Sequence, residues 1–167
     1  LGGDVNGVAS EFVICHEDDL LPIPNYLSYE HAACIPCAGV TAWHALVISG
    51  NVKAGDTVLL LGSGGVSVFS LQIAKMSGAR VIATSSKASK LKRLLDLGAW
   101  EVINYQEIPQ WGEKVLELTD GCGVDHVVEV GGKDTIKQSL RATKDSGHIG
   151  IIGDLSGGGD RWRAHRG

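Results

Sequence analysis

The stretch from Asp56 to Ser86, DTVLLLGSGGVSVFSLQIAKMSGARVIATSS, limits what this chain can fold into more than any other. Thr57–Leu61 is uncharged and almost wholly apolar, as suits a short strand buried on both faces. Gly62-Ser63-Gly64-Gly65-Val66-Ser67 follows at once. Val68 to Met76 then carries apolar residues at helical spacing, Ser77-Gly78 stops it, and Arg80–Thr84 reads as a second buried strand. Strand, glycine turn, helix and strand in this order make the βαβ unit that binds dinucleotides.

The turn has a specific physics. Gly62 lets the chain reverse directly after the strand. Gly64 removes a side chain where backbone must approach a diphosphate, with Ser63 between the two. The N–H groups of Gly65 and Val66 open the helix, and with the helix dipole they favour an anion. Ser67 stands at the third glycine position, where only a small residue fits between helix and strand. The competing reading is a glycine-rich turn that only joins two elements.

At 167 residues, 44% of them hydrophobic and 20% charged, the chain is about one domain with enough apolar surface for a core. A net charge of −4 and a pI near 5.8 argue against nucleic acid as a partner. No apolar run is read as approaching the roughly 20 residues that span a bilayer, so no membrane partner is expected. Residues 1–20 lack the basic start and apolar segment of a signal peptide. Four cysteines are too few for a disulfide framework at this length, and a cytoplasmic, reduced protein is expected.

In chain order, residues 7–14 look strand-like and Leu20–Pro24 is a proline-punctuated linker. A helix is expected over Tyr29–Cys34, interrupted by Pro36. A second runs over Gly39–Ser49, with Val40, Trp43, Leu46 and Val47 on its apolar face and Gly50 at its end. Beyond the βαβ unit, helices are expected over Lys90–Leu97, Gln110–Leu118 and Asp134–Thr143. Strands three to five fall at Val102–Tyr105, Val124–Val130 and Gly147–Gly153. Five strands alternating with helices predict an α/β fold, a doubly wound parallel sheet of order 3-2-1-4-5 with its ligand crevice beyond the carboxyl ends of strands one and four. A sixth strand is missing after Gly153, which leaves the fifth strand's edge unpaired. The residues from Ser156 on have no periodicity and are expected to be disordered.

Four segments together resemble the medium-chain dehydrogenase/reductase superfamily: PCAGVTAWHAL (36–46), KAGDTVLLLGSGGV (53–66), LGAWEVINY (97–105) and DHVVEVGG (125–132). The branch is similar to its NAD(P)-dependent, alcohol-dehydrogenase-like and quinone-oxidoreductase-like members. The resemblance covers residues 3–155 in order. It implies a remnant of a β-rich catalytic domain over residues 1–26, a Rossmann-type cofactor domain over 27–155, and an unrelated tail over 156–167. It also implies hydride transfer to or from an alcohol, carbonyl, enone or quinone, a small-molecule substrate, and a homodimer as one assembly. The chain alone is expected to be inactive. The rival reading is a dinucleotide-binding module or inactive fragment without catalysis.

An NAD site places an acid at the end of the second strand to accept the ribose hydroxyls. Here that position is Ser85, within Thr84-Ser85-Ser86-Lys87. Ser hydroxyls and a lysine attract a 2′-phosphate that a carboxylate would repel, which favours NADP(H) over NAD(H). The resemblance puts Lys90 at the ribose or its 2′-phosphate and Tyr105 near the adenosine end. It puts Thr41, Val130, Gly131, Ile152 and Gly153 around the nicotinamide.

Cys34-Ile-Pro-Cys37 lies before the βαβ unit, where a thioredoxin-like pair would not be. Cys37 stands where zinc-dependent relatives place a catalytic ligand, but the partner motifs are absent from the chain, so no bound zinc is expected and Cys37 is read as a buried apolar filler. His31, His44, His126, His148 and His165 show no site-like spacing. Glu129, a carboxylate in an apolar strand, is expected to be paired near the crevice with its role open.

Overall fold

A computed structural model describes residues 6–157, and the chain divides into two compact units, Leu1–Ala33 and Cys34–Gly167. In the first unit the described residues form a 3-10 turn at Glu17–Asp19 and a short helix, α1, at Tyr29–Ala33, and none is buried. The strand expected over 7–14 does not form, and Phe12 and Ile14 are exposed. A strand holds only where its backbone N–H and C=O groups find a neighbour. The expected tail falls almost wholly on 158–167, outside the described residues.

The second unit is built on five parallel strands, β1 (Thr57–Leu60), β2 (Arg80–Ser85), β3 (Glu101–Asn104), β4 (Val124–Glu129) and β5 (Thr143–Ile151). Their order is β3-β2-β1-β4-β5, as expected for a doubly wound sheet. Period-2 alternation gives each face its own core. Val58 and Leu60 pack with Leu46, Leu71, Val81 and Val128 on one face. Leu59 and Leu61 pack with Ile82, Ile103, Trp111 and Val127 on the other. Both faces of β1 are therefore buried, and its sequence carries no polar alternation.

The helices are α2 (Val40–Trp43), α3 (Gly65–Met76), α4 (Ala88–Asp96), α5 (Trp111–Leu118) and α6 (Ile136–Ala142). Two π-helical segments, Ile35–Gly39 and His44–Ser49, flank α2. As expected, α1 ends before Pro36, at Ala33, but the next helical segment starts at Ile35, earlier than the expected Gly39. Pro36 sits in the first turn of Ile35–Gly39, where a missing N–H leaves no bond unmade. The buried face of the stretch is Ala42, Ala45 and Leu46, whereas Val40 is 55% and Trp43 43% exposed. Of the expected apolar face, Leu46 is buried and Val47 packs against the core, while Ala42 and Ala45 take the place of Val40 and Trp43.

Among the described residues one helical stretch, Tyr29–Ser49, with 21 residues and a mean hydropathy of 1.5, is long and apolar enough to cross a membrane. This corrects the reading that no such stretch exists. Ala42, Ala45 and Leu46 within it are buried, while most of its other residues are exposed or half-buried.

β5 begins at Thr143, four residues before its expected start. Thr143 pairs with Val124 and the register resumes only at His148 opposite His126, so the polar Lys144–Gly147 segment between them bulges out of the ladder, with Ser146 at φ +63°.

Candidate functional site

The glycine turn leaves β1 and enters α3 as the sequence requires. Gly62 has φ of +78°, a conformation that residues with a Cβ rarely adopt. Gly64 is the N-cap of α3, with φ −79° and ψ −175°. A Cβ built there would meet nothing within 4 Å, so protein packing does not demand glycine at this position. The space is open to a ligand that must reach the backbone. Gly65 and Val66 form the first turn of the twelve-residue α3, where N–H groups have no intrahelical acceptor. Ser67 is buried, and its Oγ donates to the Leu61 carbonyl at 2.9 Å, tying helix to strand end.

Two hydroxyls of β2 hold the turn from the side. The Gly62 N–H donates to Thr84 Oγ1 at 3.2 Å, and Ser63 Oγ lies 3.3 Å from Ser85 Oγ. Ser85 is 3% exposed, so its hydroxyl faces the turn. Ser86 is half-buried, and Lys87 and Lys90 are exposed at the start of α4.

A cavity of about 440 Å³ opens at the carboxyl ends of the strands. Gly62, Thr84, Tyr105, Trp111, Val130 and Gly131 contribute to its lining. This is where the strand order reverses between β1 and β4, the place at which open α/β sheets bind ligands. Thr41 and Ile152 line a different cavity, of about 610 Å³, between the α2 region and β5. The expected nicotinamide residues are therefore divided between two cavities. Gly153 packs tightly on the β4 end, where a Cβ would sit 2.9 Å from the Val130 carbonyl oxygen. Ser156 Oγ donates to the Gly131 carbonyl at 2.6 Å at the rim of the crevice.

Glu129, the last residue of β4, is wholly buried. Its Oε1 accepts hydrogen bonds from the N–H groups of Gly131 at 2.7 Å and Gly132 at 3.1 Å, and from Thr135 Oγ1 at 2.6 Å. Its Oε2 accepts one from Ser139 Oγ. Nothing in the spacing of the sequence announces these four donors. The only signal is a carboxylate within an apolar strand followed by Gly-Gly.

A second polar group, at the amino ends of the strands, also escapes sequence reading. Its cavity of about 190 Å³ is lined in part by Asp56, Asp125, His126, Lys144 and His148. Asp125 is pushed two ways. Burial raises its pKa, but hydrogen bonds from Lys144 and the Thr57 N–H outweigh this and hold the carboxyl below its ordinary value. Burial, then the charge of His126, lowers the pKa of His148. All four cysteines are exposed and none is in a disulfide, so Cys37 is not the buried filler expected. Among the described residues no group of three or more His, Cys, Asp or Glu side chains is arranged to hold a metal ion.

The parallel sheet and glycine turn define a nucleotide-cofactor domain of the Rossmann class. Residues 65–161 match the family model described as zinc-binding dehydrogenase, and the chain belongs to that family. It is 43% identical over 95% of its length to a zinc-type alcohol dehydrogenase-like protein of Schizosaccharomyces pombe, covering 46% of that protein. It is 34% identical over 90% of its length to a quinone oxidoreductase of Pseudomonas aeruginosa, again covering 46%. The crystal structure of an NAD-dependent alcohol dehydrogenase superimposes on 87% of this chain with a TM-score of 0.81 and 44% identity, using 42% of that chain. A mycobacterial protein complexed with NADPH superimposes on 84% with a TM-score of 0.76 and 37% identity, using 44% of that chain. The chain thus spans less than half the length of these relatives.

Proposed function

We propose that this chain is the NADP(H)-binding domain of an oxidoreductase that moves hydride to or from an alcohol, carbonyl, enone or quinone carbon. The observation that carries the reading is the turn Gly62–Val66: a positive-φ glycine, an open position at Gly64, and the mouth of a twelve-residue helix facing the strand-order reversal. The diphosphate lies on the Gly65 and Val66 amides. The adenosine half runs toward Ser85, Ser86, Lys90 and Tyr105. The nicotinamide half runs toward Thr41, Val130, Gly131, Ile152 and Gly153.

The bound nicotinamide supplies the hydride chemistry. The protein's part is to hold the ring, present one face, and keep water out. The choice of NADP(H) rests on the end of β2 at Ser85 and the Ser86-Lys87 that follow it, with no carboxylate to repel a 2′-phosphate. Similar structures include an NAD-dependent alcohol dehydrogenase and a protein complexed with NADPH, so the preference is drawn from this chain's own residues. A cytoplasmic location, in keeping with four cysteines of which none is in a disulfide, and assembly as a homodimer belong to the same proposal.

The test is a titration of the chain with NADPH and with NADH. Tighter binding of NADPH is expected. A preference for NADH of about tenfold or more, equivalent to about 1.4 kcal/mol, would overturn the NADP assignment. Failure to bind either would overturn the cofactor site.

A further inference from the structure

We infer that Glu129 is the positioning residue of the cofactor crevice, a buried carboxylate that sets the geometry of both backbone segments facing the nicotinamide half. Among the described residues it is the one Asp, Glu, Lys or Arg that is buried, at 0% exposure. Such a group is retained at the cost of desolvation unless every lone pair is used. Here each oxygen is used. Oε1 accepts from the Gly131 and Gly132 N–H groups and from Thr135 Oγ1, and Oε2 accepts from Ser139 Oγ.

These bonds have a geometric result. The two amides that follow β4 are turned inward to the carboxylate, which fixes the peptide planes of the Val130–Gly132 turn. Thr135 and Ser139 lie just before and within α6, so the same carboxylate locks that helix to the turn. Gly131 packs so closely on Thr135 that a Cβ would overlap it, and Gly132 has φ of +90°. The main chain of Glu129 does the complementary work. Its carbonyl accepts from the Ile152 N–H at 2.8 Å and the Gly153 N–H at 3.3 Å. One residue therefore holds Val130–Gly131 with its side chain and Ile152–Gly153 with its backbone. The β2 side of the crevice, with Ser85 and Lys90, makes no hydrogen bond to Glu129.

The inference rests on the reading that the β4–β5 side holds the nicotinamide half of a dinucleotide. It predicts an effect on that half only. Calorimetric titration of the 167-residue chain with NADPH and with 2′,5′-ADP, the phosphorylated adenosine half, separates the two. Glu129→Ala is expected to weaken NADPH about tenfold or more while 2′,5′-ADP stays within about twofold. Glu129→Gln is expected to keep NADPH within about threefold, because its Oε1 still accepts and its amide donates to Ser139 Oγ. A folded Glu129→Ala chain with wild-type affinity for NADPH, or with equal losses for both ligands, overturns the inference. Should Glu129→Ala not fold by circular dichroism, Thr135→Val and Ser139→Ala each remove one donor with little change in shape. Each is then expected to weaken NADPH about threefold without moving 2′,5′-ADP, and no difference in either variant overturns the inference. A wild-type chain that binds neither ligand defeats the functional reading itself, and this inference with it.

Discussion

His126 and Asp56, 70 positions apart in the chain, meet with Nε2 and Oδ2 at 2.9 Å. The same Oδ2 accepts from the Lys53 N–H at 2.8 Å, so the carboxylate ties the turn before β1 to the middle of β4. The His148 ring lies across the sheet from His126 with centroids 6.0 Å apart. Lys53, Asp125 and Lys144 complete the charged surroundings of this cavity. Burial, then the His126 charge, holds the pKa of His148 below its ordinary 6.5. A histidine whose folded pKa is depressed takes up a proton more readily when unfolded. Its contribution to stability is therefore full above pH about 6.5 and is lost as pH falls toward and through the lowered folded value. Thermal unfolding from pH 7.5 down to 5 is expected to show a falling Tm. His148→Asn is expected to flatten that slope, and an unchanged slope would show that other groups set it.

The core prediction concerns Leu60. It is fully buried on the face shared with Leu46, Leu71, Val81 and Val128. Both neighbouring strands fix its backbone, with Leu60 opposite Ala83 on β2 and Val128 on β4, so the site cannot collapse around a smaller residue. Leu60→Ala is expected to cost about 2–5 kcal/mol, read from urea unfolding at constant m. Val40→Ala, at an exposed position of the α2 stretch, is expected to stay within about 0.5 kcal/mol.

What the sequence made legible were the features whose cause is local. Apolar runs located the strands, and Gly62 and Gly64 located the turn, because period and backbone freedom are properties of neighbouring residues. The strand order followed from right-handed crossovers between them. Features made by distant residues were not legible. The four donors on Glu129, the Asp56–His126 pair and the Ser63–Ser85 contact arise only once the sheet has closed. The early start of β5 was hidden for a related reason. Lys144 and Asp145 lie where the ladder with β4 is interrupted, so they give no apolar alternation. Pro36 hid the early start of the Ile35–Gly39 segment, because a proline that ends one helix reads the same as one in the first turn of the next.

Lys90 tests the choice of cofactor without disturbing the fold. It is exposed in the first turn of α4, its side chain outside the core clusters. Lys90→Ala is expected to weaken NADPH about tenfold and to leave NADH within about twofold, since only NADPH carries the 2′-phosphate a lysine would meet. The NADPH loss is expected to shrink as salt is raised, because an exposed charge contact is screened. Equal effects on the two cofactors would remove Lys90 from the phosphate site.

Gly64 separates the demands of folding from those of binding. Its φ and ψ lie in the extended region that any residue adopts, and a Cβ there meets no protein atom within 4 Å. Gly64→Val is therefore expected to cost no more than the poorer N-cap does, about 1 kcal/mol. The same side chain would stand between the α3 mouth and a diphosphate, so NADPH affinity is expected to fall by about a hundredfold or more. Gly62→Val is the contrasting variant. At φ +78° a β-branched residue is strained, and here stability itself is expected to fall by about 1–3 kcal/mol. The pair is read by differential scanning fluorimetry beside the cofactor titration. A Gly64→Val chain that binds NADPH as wild type does would mean that the turn is a connector, and that the anion expected at the mouth of α3 binds elsewhere.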